Sequence, residues 1–516
     1  MRNEEHRVAV FSSALPFGWV TATIGDIIGF DGLFVDGDWV ESKDQDPKGD
    51  VKLTQLADVG DGVYRNRSNR FLRYEKAVQL GCTFLQPNDL MVARMPDPLG
   101  RACIFPGDSK PSVTAVDVCI VRTGLHGADH NWLMYIINSP IFRLAIASLQ
   151  SGSTRKRISR SNLAKLEFPL PPLPEQHHIV AKIEELFTKL DAGVKALKKI
   201  KTQLKRYRQS VLKSAMEGKL TEKWRRTHKD ELEPASVLPE RIREERKKSE
   251  KGKYKELIQI DTSDLPELPG GWCWVTTTDI CASVRDGTHD TPKYLPQGIP
   301  FITSKNLKEE GLDFSTAKYI SIEDHNKFSI RSGVGKGDIL FAMIGTIGNP
   351  VVVRTNKIFS IKNVALFKKN ESIIQSTYLK YWLQNSVFKE ILEKKKLLKG
   401  TTQKFIPLEH LRVLPVPFTN VNEQHQIVSE IEHRFSIADN VEKVVEQSLK
   451  QAERLRRSIL KKAFEGKLVP QDSADEPASI LLERIKKEKE KLDAERKSKR
   501  KSRKKKHKKY VQKGLM

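Results

Sequence analysis

The sequence predicts an α+β protein with an internal pseudo-twofold repeat, in which two mixed, mainly β modules are joined by a long antiparallel two-helix coiled coil. Three observations predict this fold. Short motifs recur in the same order half a chain apart, each copy changes once from β-type to helical patterning, and the helical segments carry apolar residues at heptad spacing. The 516 residues also indicate several domains, because one ordinary core does not grow that large.

The repeated motifs mark the ends of the modules and of the helices. PFGW at 16–19 returns as PGGW at 269–272, PEQH at 174–177 as NEQH at 422–425, and EGKL at 217–220 as EGKL at 465–468. From these boundaries we predict a first module (1–168), a first conserved helix (169–222), a helical linker (223–264), a second module (265–417), a second conserved helix (418–470), a C-terminal helix (471–495) and a basic, disordered tail (496–516). Each module is expected to contain one longer helix, at 132–146 and at 378–392.

The heptad spacing predicts which side chains form the coiled-coil seam. In the first helix these are Ile179, Ile183, Leu186, Leu190, Leu197, Leu204 and Val211, and in the second they are Ile427, Ile431, Val441, Val445, Leu455 and Ile459. The same pattern would also fit an interface between two chains. Pairing within one chain is favoured because its effective concentration is higher.

The duplication constrains what the modules can bind. Duplex DNA has local twofold axes perpendicular to its own axis, so two equivalent modules facing one groove are most simply related by such an axis. A twofold axis perpendicular to the helices makes them antiparallel and places one module at each end of a rod of roughly 60 Å. The expected DNA site is therefore bipartite, with unread bases between two half-sites.

The positive net charge of the chain favours nucleic acid as its binding partner, with an acidic protein as the second choice. The chain has 90 Lys and Arg against 65 Asp and Glu, a formal net charge of +25. The first module alone is nearly neutral, with 20 Lys and Arg against 19 Asp and Glu, so the duplication rather than the charge identifies it as a DNA reader. No run approaches 18 apolar residues, which argues against a membrane span, and the start of the chain does not resemble a signal peptide. We therefore expect a cytoplasmic protein without a membrane partner.

The candidate DNA contacts are cations of the modules. They are Arg65, Arg67, Arg70, Arg94, Arg155, Lys156 and Arg157 in the first module and Lys293, Lys305, Lys336 and Lys404 in the second. Arginine can bind guanine with two hydrogen bonds and asparagine or glutamine can bind adenine in the same way, but most Lys and Arg contacts are to phosphate. No code allows the target sequence to be derived from them.

Catalytic motifs are weak throughout. Asn138-Ser139-Pro140 and Asn349-Pro350 lack the second proline and the aromatic residue of an adenine-methyltransferase loop, and both are expected to be turns. The glycine-rich segment 333–337 lacks the features of a P-loop and is expected to be a hairpin loop. Pro96-Asp97 followed by Asp108-Ser109-Lys110 has the order of a magnesium nuclease site, but the second copy has no equivalent. The five cysteines form no CxxC pair, so we expect neither a zinc site nor a disulfide framework. Since none of the catalytic motifs is complete, we also expect no catalysis on this chain.

Together these motifs resemble the specificity (S) subunit of type I restriction-modification enzymes. The resemblance rests on two variable modules, each followed by a Glu-Gln signature and a heptad helix ending in Glu-Gly-Lys-Leu. GSTRK at 152–156 and GTTQK at 400–404 are similar to the Gly-Thr-Gln-like exit of the family's recognition domains, although Arg155 stands where the family usually has the glutamine that Gln403 keeps.

The resemblance implies two target recognition domains, each reading one half of an asymmetric bipartite DNA sequence. It implies a noncatalytic subunit that docks two methyltransferase (M) subunits and, through them, two restriction-translocase (R) subunits, which methylate adenine or cleave DNA. S-adenosylmethionine, ATP and Mg²⁺ are then expected on those partners. The amphipathic stretches 233–246 and 476–490 suit partner docking, and the basic tail suits nonspecific phosphate contacts. A self-sufficient nuclease or methyltransferase and a coiled-coil DNA-binding regulator remain the alternatives.

Overall fold

The structure is a computed structural model that describes residues 8–9, 14–96, 98–125, 127–153, 155–229, 237, 240, 244, 261–492 and 494–495. It divides into two compact units, the first made of Met1–Ala196 with Ser448–Met516 and the second of Leu197–Gln447. Each unit therefore combines one module with parts of both long helices. The basic tail and most of the stretch 233–246 lie outside the described residues.

The first unit contains ten strands and five short helices in the described part of its module. The strands are β1 (Val8–Ala9), β2 (Val20–Thr23), β3 (Leu33–Asp36), β4 (Val51–Thr54), β5 (Phe71–Leu72), β6 (Leu90–Ala93), β7 (Ala102–Ile104), β8 (Ser112–Thr114), β9 (Val118–Arg122) and β10 (Leu166–Leu170). The helices are α1 (Ile24–Ile27), α2 (Tyr74–Gln79), α3 (His130–Ile137), α4 (Pro140–Ser148) and α5 (Arg160–Ala164). The long helix α6 (Leu173–Met216) follows and continues into the second unit.

The second unit repeats this order of elements. After α7 (Glu222–Thr227), its strands are β11 (Cys273–Thr276), β12 (Val284–Asp286), β13 (Ile299–Ile302), β14 (Leu307–Lys308), β15 (Gly311–Leu312), β16 (Lys318–Ile320), β17 (Ile339–Ala342), β18 (Gly348–Val352), β19 (Ser360–Ile361), β20 (Val364–Phe367) and β21 (Pro415–Phe418). Its helices are α8 (Thr277–Ile280), α9 (Ile322–Ser332), α10 (Ser376–Gln384), α11 (Ser386–Lys394) and α12 (Leu408–Arg412). The second long helix, α13 (Val421–Phe464), returns to the first unit, where a further helix, α14, covers 478–492.

The sheets show that the two modules share one topology despite their dissimilar sequences. A four-stranded sheet has the order β3-β9-β6-β7 in the first module and β12-β20-β17-β18 in the second, and a three-stranded sheet has the order β5-β4-β8 and β16-β13-β19. The antiparallel pair β2-β10 corresponds to β11-β21. The second module adds the hairpin β14-β15. The predicted internal repeat is thus visible in the strand pairing.

Local chemistry explains several of these elements. Asp26 and Asp279 are equivalent residues that cap the N-termini of the short helices α1 and α8. Asp26 accepts hydrogen bonds from the Thr23 backbone and hydroxyl at 2.8 Å, and Asp279 does the same for Thr276. The predicted helices 132–146 and 378–392 are each two helices. In the first module the break falls at Pro140, which is the first residue of α4 and lacks the N–H that would continue α3.

Two further expectations about loops were wrong. Segment 333–337 connects helix α9 to strand β17 and is not a hairpin loop. Asn349-Pro350 lies within β18 rather than in a turn, and Asn349 has a φ of 46° beside a change in register between β17 and β18. Both differences arise from strand pairing that local sequence does not reveal.

The long helices have 44 residues each, about 66 Å, and pair antiparallel within each unit. In the first unit the guanidinium of Arg456 binds Asp191 and lies 4.0 Å from the centre of the Phe187 ring. In the second unit Lys201 lies 2.7 Å from Glu446. Higher numbers on one helix thus meet lower numbers on the other.

A second ion-pair group in the second unit has the same direction. Arg208 lies 2.6 Å from Asp439 and 2.9 Å from Glu442. Both acidic residues lie on α13, and Arg208 lies on α6. The register therefore places cations of one helix opposite acids of the other.

Two of the predicted seam residues, both on α13, do not face the partner helix. Val441 and Leu455 are 40% and 50% exposed. The positions that face the partner helix lie one residue further on, at Glu442 and Arg456, which form the ion pairs described above. The other predicted seam residues are buried or half-buried, and they are Ile179, Ile183, Leu186, Leu190, Leu197, Leu204, Val211, Ile427, Ile431, Val445 and Ile459.

Each module's core is continuous with the helices beneath it. In the first unit Ile179 and Ile183 of α6 and Phe464 of α13 join one apolar cluster with the module. In the second unit the corresponding cluster contains Val211 and Ile431. The helices are therefore part of the modules' hydrophobic cores.

Candidate nucleic-acid interface

The exit loops of the two modules have the same geometry. Ser151 and Arg157 exchange two backbone hydrogen bonds of 2.8 and 2.9 Å, and Lys399 and Phe405 do so at 2.9 Å. Each loop begins with a glycine at positive φ, 96° at Gly152 and 87° at the equivalent glycine of the second module. The loops hold their polar side chains outside the modules, and Arg155, Lys156, Arg157, Gln403 and Lys404 are all exposed.

Both exit loops are attached to the same place in the four-stranded sheets. Ile158 donates its backbone N–H to Arg94, just after β6, and Ile406 donates to Met343, just after β17. Since β6 and β17 are equivalent strands, Gln403 occupies in the second module the place that Arg155 occupies in the first. The difference between the two loops is therefore one of side-chain chemistry on a shared backbone.

The arginine-rich stretch of the first module is a loop organised by a buried carboxylate. Asp58 accepts hydrogen bonds from the backbone N–H groups of Gln55 and Ser68 at 2.7 Å, and also from that of Arg67. Arg65, Arg67 and Arg70 are exposed around it. The fixed loop presents three guanidinium groups to solvent, which suits contact with a polyanion.

Two other predicted contacts are placed differently. The side chain of Arg94 is 14% exposed, and its guanidinium pairs with Asp36 at 3.3 Å and donates to the carbonyl of Val116. Lys336 is exposed, but it lies in the segment before β17, whereas the exit loop meets the other end of that strand. DNA contact by either residue stays a prediction.

The second module contains a cleft of about 450 Å³ next to its exit loop. Lys305, Lys318 and Lys362 line it together with Gln403, and no acid is among its described lining residues. Lys318 lies 4.1 Å from the ring centre of Tyr294, which also lines the cleft. Of the predicted contacts, only Lys305 lines the cleft. Lys318, Lys362 and Gln403, which the sequence did not single out as contacts, come from separate strands and loops and meet only in the folded module.

The Glu-Gln signature after each module has a structural role. Glu175 accepts the indole N–H of Trp19 at 2.9 Å, and Glu423 accepts that of Trp272 at the same distance. The next residue, Gln176 in the first copy, accepts the backbone N–H of Asp129 at the start of α3. Because these side chains are buried, the signature locks the PxGW motif and a module helix onto the long helix.

The two glutamates differ in their electrostatic surroundings. Glu423 is paired with Arg225 at 2.8 Å and also accepts the hydroxyl of Thr221 at 2.8 Å. Glu175 has a weaker 3.5 Å contact with Gln471, and burial raises the pKa of its carboxyl.

Asp108 and Lys110 of the nuclease-like string form structural contacts within the first module. Asp108 forms a largely buried ion pair with Lys52 at 2.9 Å, and the hydrogen bond from that lysine lowers the pKa of Asp108. Lys110 donates to the carbonyl of Gly49 at 3.1 Å. Asp97 lies outside the described residues. Within the described ranges, no cluster of three or more His, Cys, Asp or Glu side chains is placed to hold a metal ion.

The cysteines and the helices add two further observations. None of the five cysteines, all of which the structure describes, is in a disulfide, and burial raises the pKa of Cys82 to about 11 and that of Cys103 to about 12. In the part of the chain that the structure describes, no helix has the length and apolar content needed to cross a membrane.

The two modules share one fold and carry different polar side chains in equivalent exit loops. This arrangement is typical of a protein with two recognition domains. A family profile described as the type I restriction modification DNA specificity domain matches residues 16–206 and 269–451, which is most of the chain. The chain therefore belongs to the family of type I restriction-modification DNA specificity proteins. This confirms the resemblance found in the motifs.

Individual relatives agree with this assignment. The specificity subunit of the type I restriction enzyme EcoBI of Escherichia coli is 31% identical over 392 residues, 74% of this chain and 76% of that one. The EcoKI specificity subunit of Escherichia coli strain K12 is 24% identical over 375 residues, 69% of this chain and 71% of that one.

Solved structures agree with the fold. A chain from a structure of a type I R-M system, described by its complex assembly and conformational transition, matches with a TM-score of 0.64 and 18% identity over 89% of this chain and 100% of that one. The HsdS subunit of Thermoanaerobacter tengcongensis matches with a TM-score of 0.51 and 17% identity over 88% of this chain and 99% of that one. The predicted α+β fold class is thus confirmed.

Proposed function

We propose that this chain is the noncatalytic subunit that directs a type I restriction-modification complex to an asymmetric bipartite DNA sequence. The observation that carries the proposal is the pair of equivalent exit loops with Arg155 in one module and Gln403 in the other. A shared backbone with different base-reading chemistry suits two different half-sites. The antiparallel pairing of the long helices suits half-sites separated by unread bases.

The catalytic steps belong, in this proposal, to partner subunits. Two methyltransferase subunits bind S-adenosylmethionine and methylate adenine, and two restriction-translocase subunits use ATP and Mg²⁺ to cleave DNA. The named relatives are specificity subunits of restriction enzymes, which supports a division of labour of this kind. The complex acts on cytoplasmic DNA. The ion pair between Asp108 and Lys52 supports a structural role for the nuclease-like string.

The test is to express the full chain with and without a methyltransferase subunit and to sequence methylated bases. We expect no methylation by the chain alone and adenine methylation within one bipartite sequence when the methyltransferase and S-adenosylmethionine are present. Methylation or cleavage by the purified chain alone would favour a self-sufficient enzyme. Specific binding without any contact with a methyltransferase subunit would favour a coiled-coil regulator.

A further inference from the structure

The cleft of the second module has an equivalent position in the first module. In the second module Phe301 of β13 pairs with Lys318 of β16. In the first module Leu53 of β4, the strand equivalent to β13, donates its backbone N–H to Arg70 just before β5 at 2.9 Å. Arg70 and Lys318 are therefore structural equivalents, a correspondence that strand register shows and sequence comparison does not.

The neighbours of these two cations also correspond. Lys318 lies over the ring of Tyr294, and Arg70 lies 3.4 Å from the side-chain oxygen of Gln45. Each module thus places a cation at the start of, or just before, an edge strand of the three-stranded sheet, and an exit-loop side chain, at matching positions of the same fold. The pair is Lys318 with Gln403 in the second module and Arg70 with Arg155 in the first.

The chemistry of the cleft matches a DNA strand. Lys305, Lys318 and Lys362 supply positive charge, and their ammonium groups can donate hydrogen bonds to phosphate oxygens. Gln403 is exposed at the edge of the cleft, and its amide can both donate to and accept from one base. Among the base edges of the major groove, adenine presents the matching N7 acceptor and N6 donor, whereas two N–H donors of arginine match guanine.

We propose that this cleft is where the second module reads its half-site, with the lysines on phosphates and Gln403 on an adenine, and that Arg155 reads a guanine at the equivalent position of the first half-site. The inference rests on the proposed function, because it assigns residues to the two readers. It adds Lys318, Lys362 and Gln403 to the contact residues that the sequence predicts.

The first experiment measures affinity. The complex of the full chain with a methyltransferase subunit is titrated with duplex DNA over a series of KCl concentrations, for Lys318→Ala, Lys362→Ala and the control Lys327→Ala. Each cleft variant should reduce the slope of log K against log salt by about one, because one phosphate contact is lost. Lys327→Ala removes an exposed lysine of α9 that does not line the cleft, and it should keep the wild-type slope.

The second experiment measures specificity by sequencing methylated DNA. Gln403→Arg should change one position of the second half-site from adenine to guanine, and Arg155→Gln should make the reverse change in the first half-site, each with roughly 10-fold or greater discrimination. The unexchanged half-site serves as the internal control in each variant.

The outcomes distinguish a failure of the inference about the cleft from a failure of the proposed function. Wild-type salt slopes in the cleft variants and unchanged half-sites in the exchange variants overturn the inference, while the wild-type complex still methylates its bipartite sequence. A wild-type complex that methylates no defined sequence overturns the proposed function, and the inference with it.

Discussion

Replacing each glutamate of the two Glu-Gln signatures by glutamine should have unequal effects on stability. Glu423→Gln keeps one acceptor for Trp272 but removes the negative charge that Arg225 faces at 2.8 Å. The Glu423 side chain is 1% exposed and that of Arg225 is 17% exposed, so the cation keeps little access to water. Breaking a buried pair costs about 3–5 kcal/mol, and the partial exposure of the arginine brings our expectation to about 2–3 kcal/mol.

Glu175→Gln is the matched control. Glutamine can still accept the indole N–H of Trp19, and the substitution removes a buried charge. Because burial raises the pKa of Glu175 in the folded protein, the contribution of this carboxyl to stability is full below its unfolded pKa and is lost as pH rises through the folded pKa. At pH 7 the substitution should therefore cost less than about 1 kcal/mol, or stabilise the first unit.

Hydrogen exchange followed by mass spectrometry suits this comparison, since a chain of two units need not unfold in one step. Glu423→Gln should accelerate exchange roughly 30-fold or more in peptides from β11 and the start of α13, and Glu175→Gln should leave the equivalent peptides near wild type. Equal acceleration by the two substitutions, or a larger effect of Glu175→Gln, would refute the role assigned to the Arg225 ion pair.

Three further predictions concern the rod, the exit loop and the buried ion pair. Adding seven residues to each long helix in register lengthens the pair by about 10 Å, so the unread spacer should grow by about 3 bp of DNA while both half-sites stay the same; methylation sequencing checks this, and altered half-sites would contradict it. Gly400→Ala should abolish recognition of the second half-site alone, because the glycine has a φ of 87° and an added Cβ would lie 2.3 Å from the carbonyl oxygen of Gln403. In the control Gly270→Ala the added Cβ meets no atom within 4 Å, so the complex with this variant should methylate DNA like wild type. Asp108→Asn should preserve cleavage by the assembled complex but destabilise the first module by about 2 kcal/mol at pH 7. Since its pKa is lowered in the folded state, the stability that Asp108 contributes is present above its unfolded pKa and is lost as pH falls through the folded pKa. The hydrogen-exchange protection of wild type and variant should therefore converge in acid. Loss of cleavage with intact DNA binding would instead favour a catalytic Asp108.

The sequence predicts the architecture well because the repeated motifs are the residues that hold the architecture together. Trp19, Glu175 and their equivalents form the same buried contact in each unit. The seam of α13 is harder to predict from the sequence. Two heptad frames differ by one residue at alternate positions of this helix and have the remaining positions in common. Val441 fits the apolar pattern and Glu442 does not, but the structure places Glu442 against Arg208, so an ion pair replaces the expected apolar contact.

The interface is less predictable than the fold for a different reason. Lys318 and Gln403 are far apart in the chain and ordinary in their local sequence, and only the pairing of strands brings them to one cleft. Basic residues clustered in sequence, such as Arg65 and Arg67, are visible without a structure. Equivalence between modules becomes visible only through strand order, because the modules retain one topology while their side chains differ.

The composition of the first unit has a consequence for the order of folding during synthesis. Its core includes Ile459, Phe464 and Ala478, and the Phe464 ring lies 5.4 Å from that of Trp132. These residues leave the ribosome roughly 300 residues after the module they complete, a delay on the order of 15–60 s at about 5–20 residues per second. The module that is synthesised first is therefore completed last, and a chain truncated before α14 would leave its N-terminal domain with an open core.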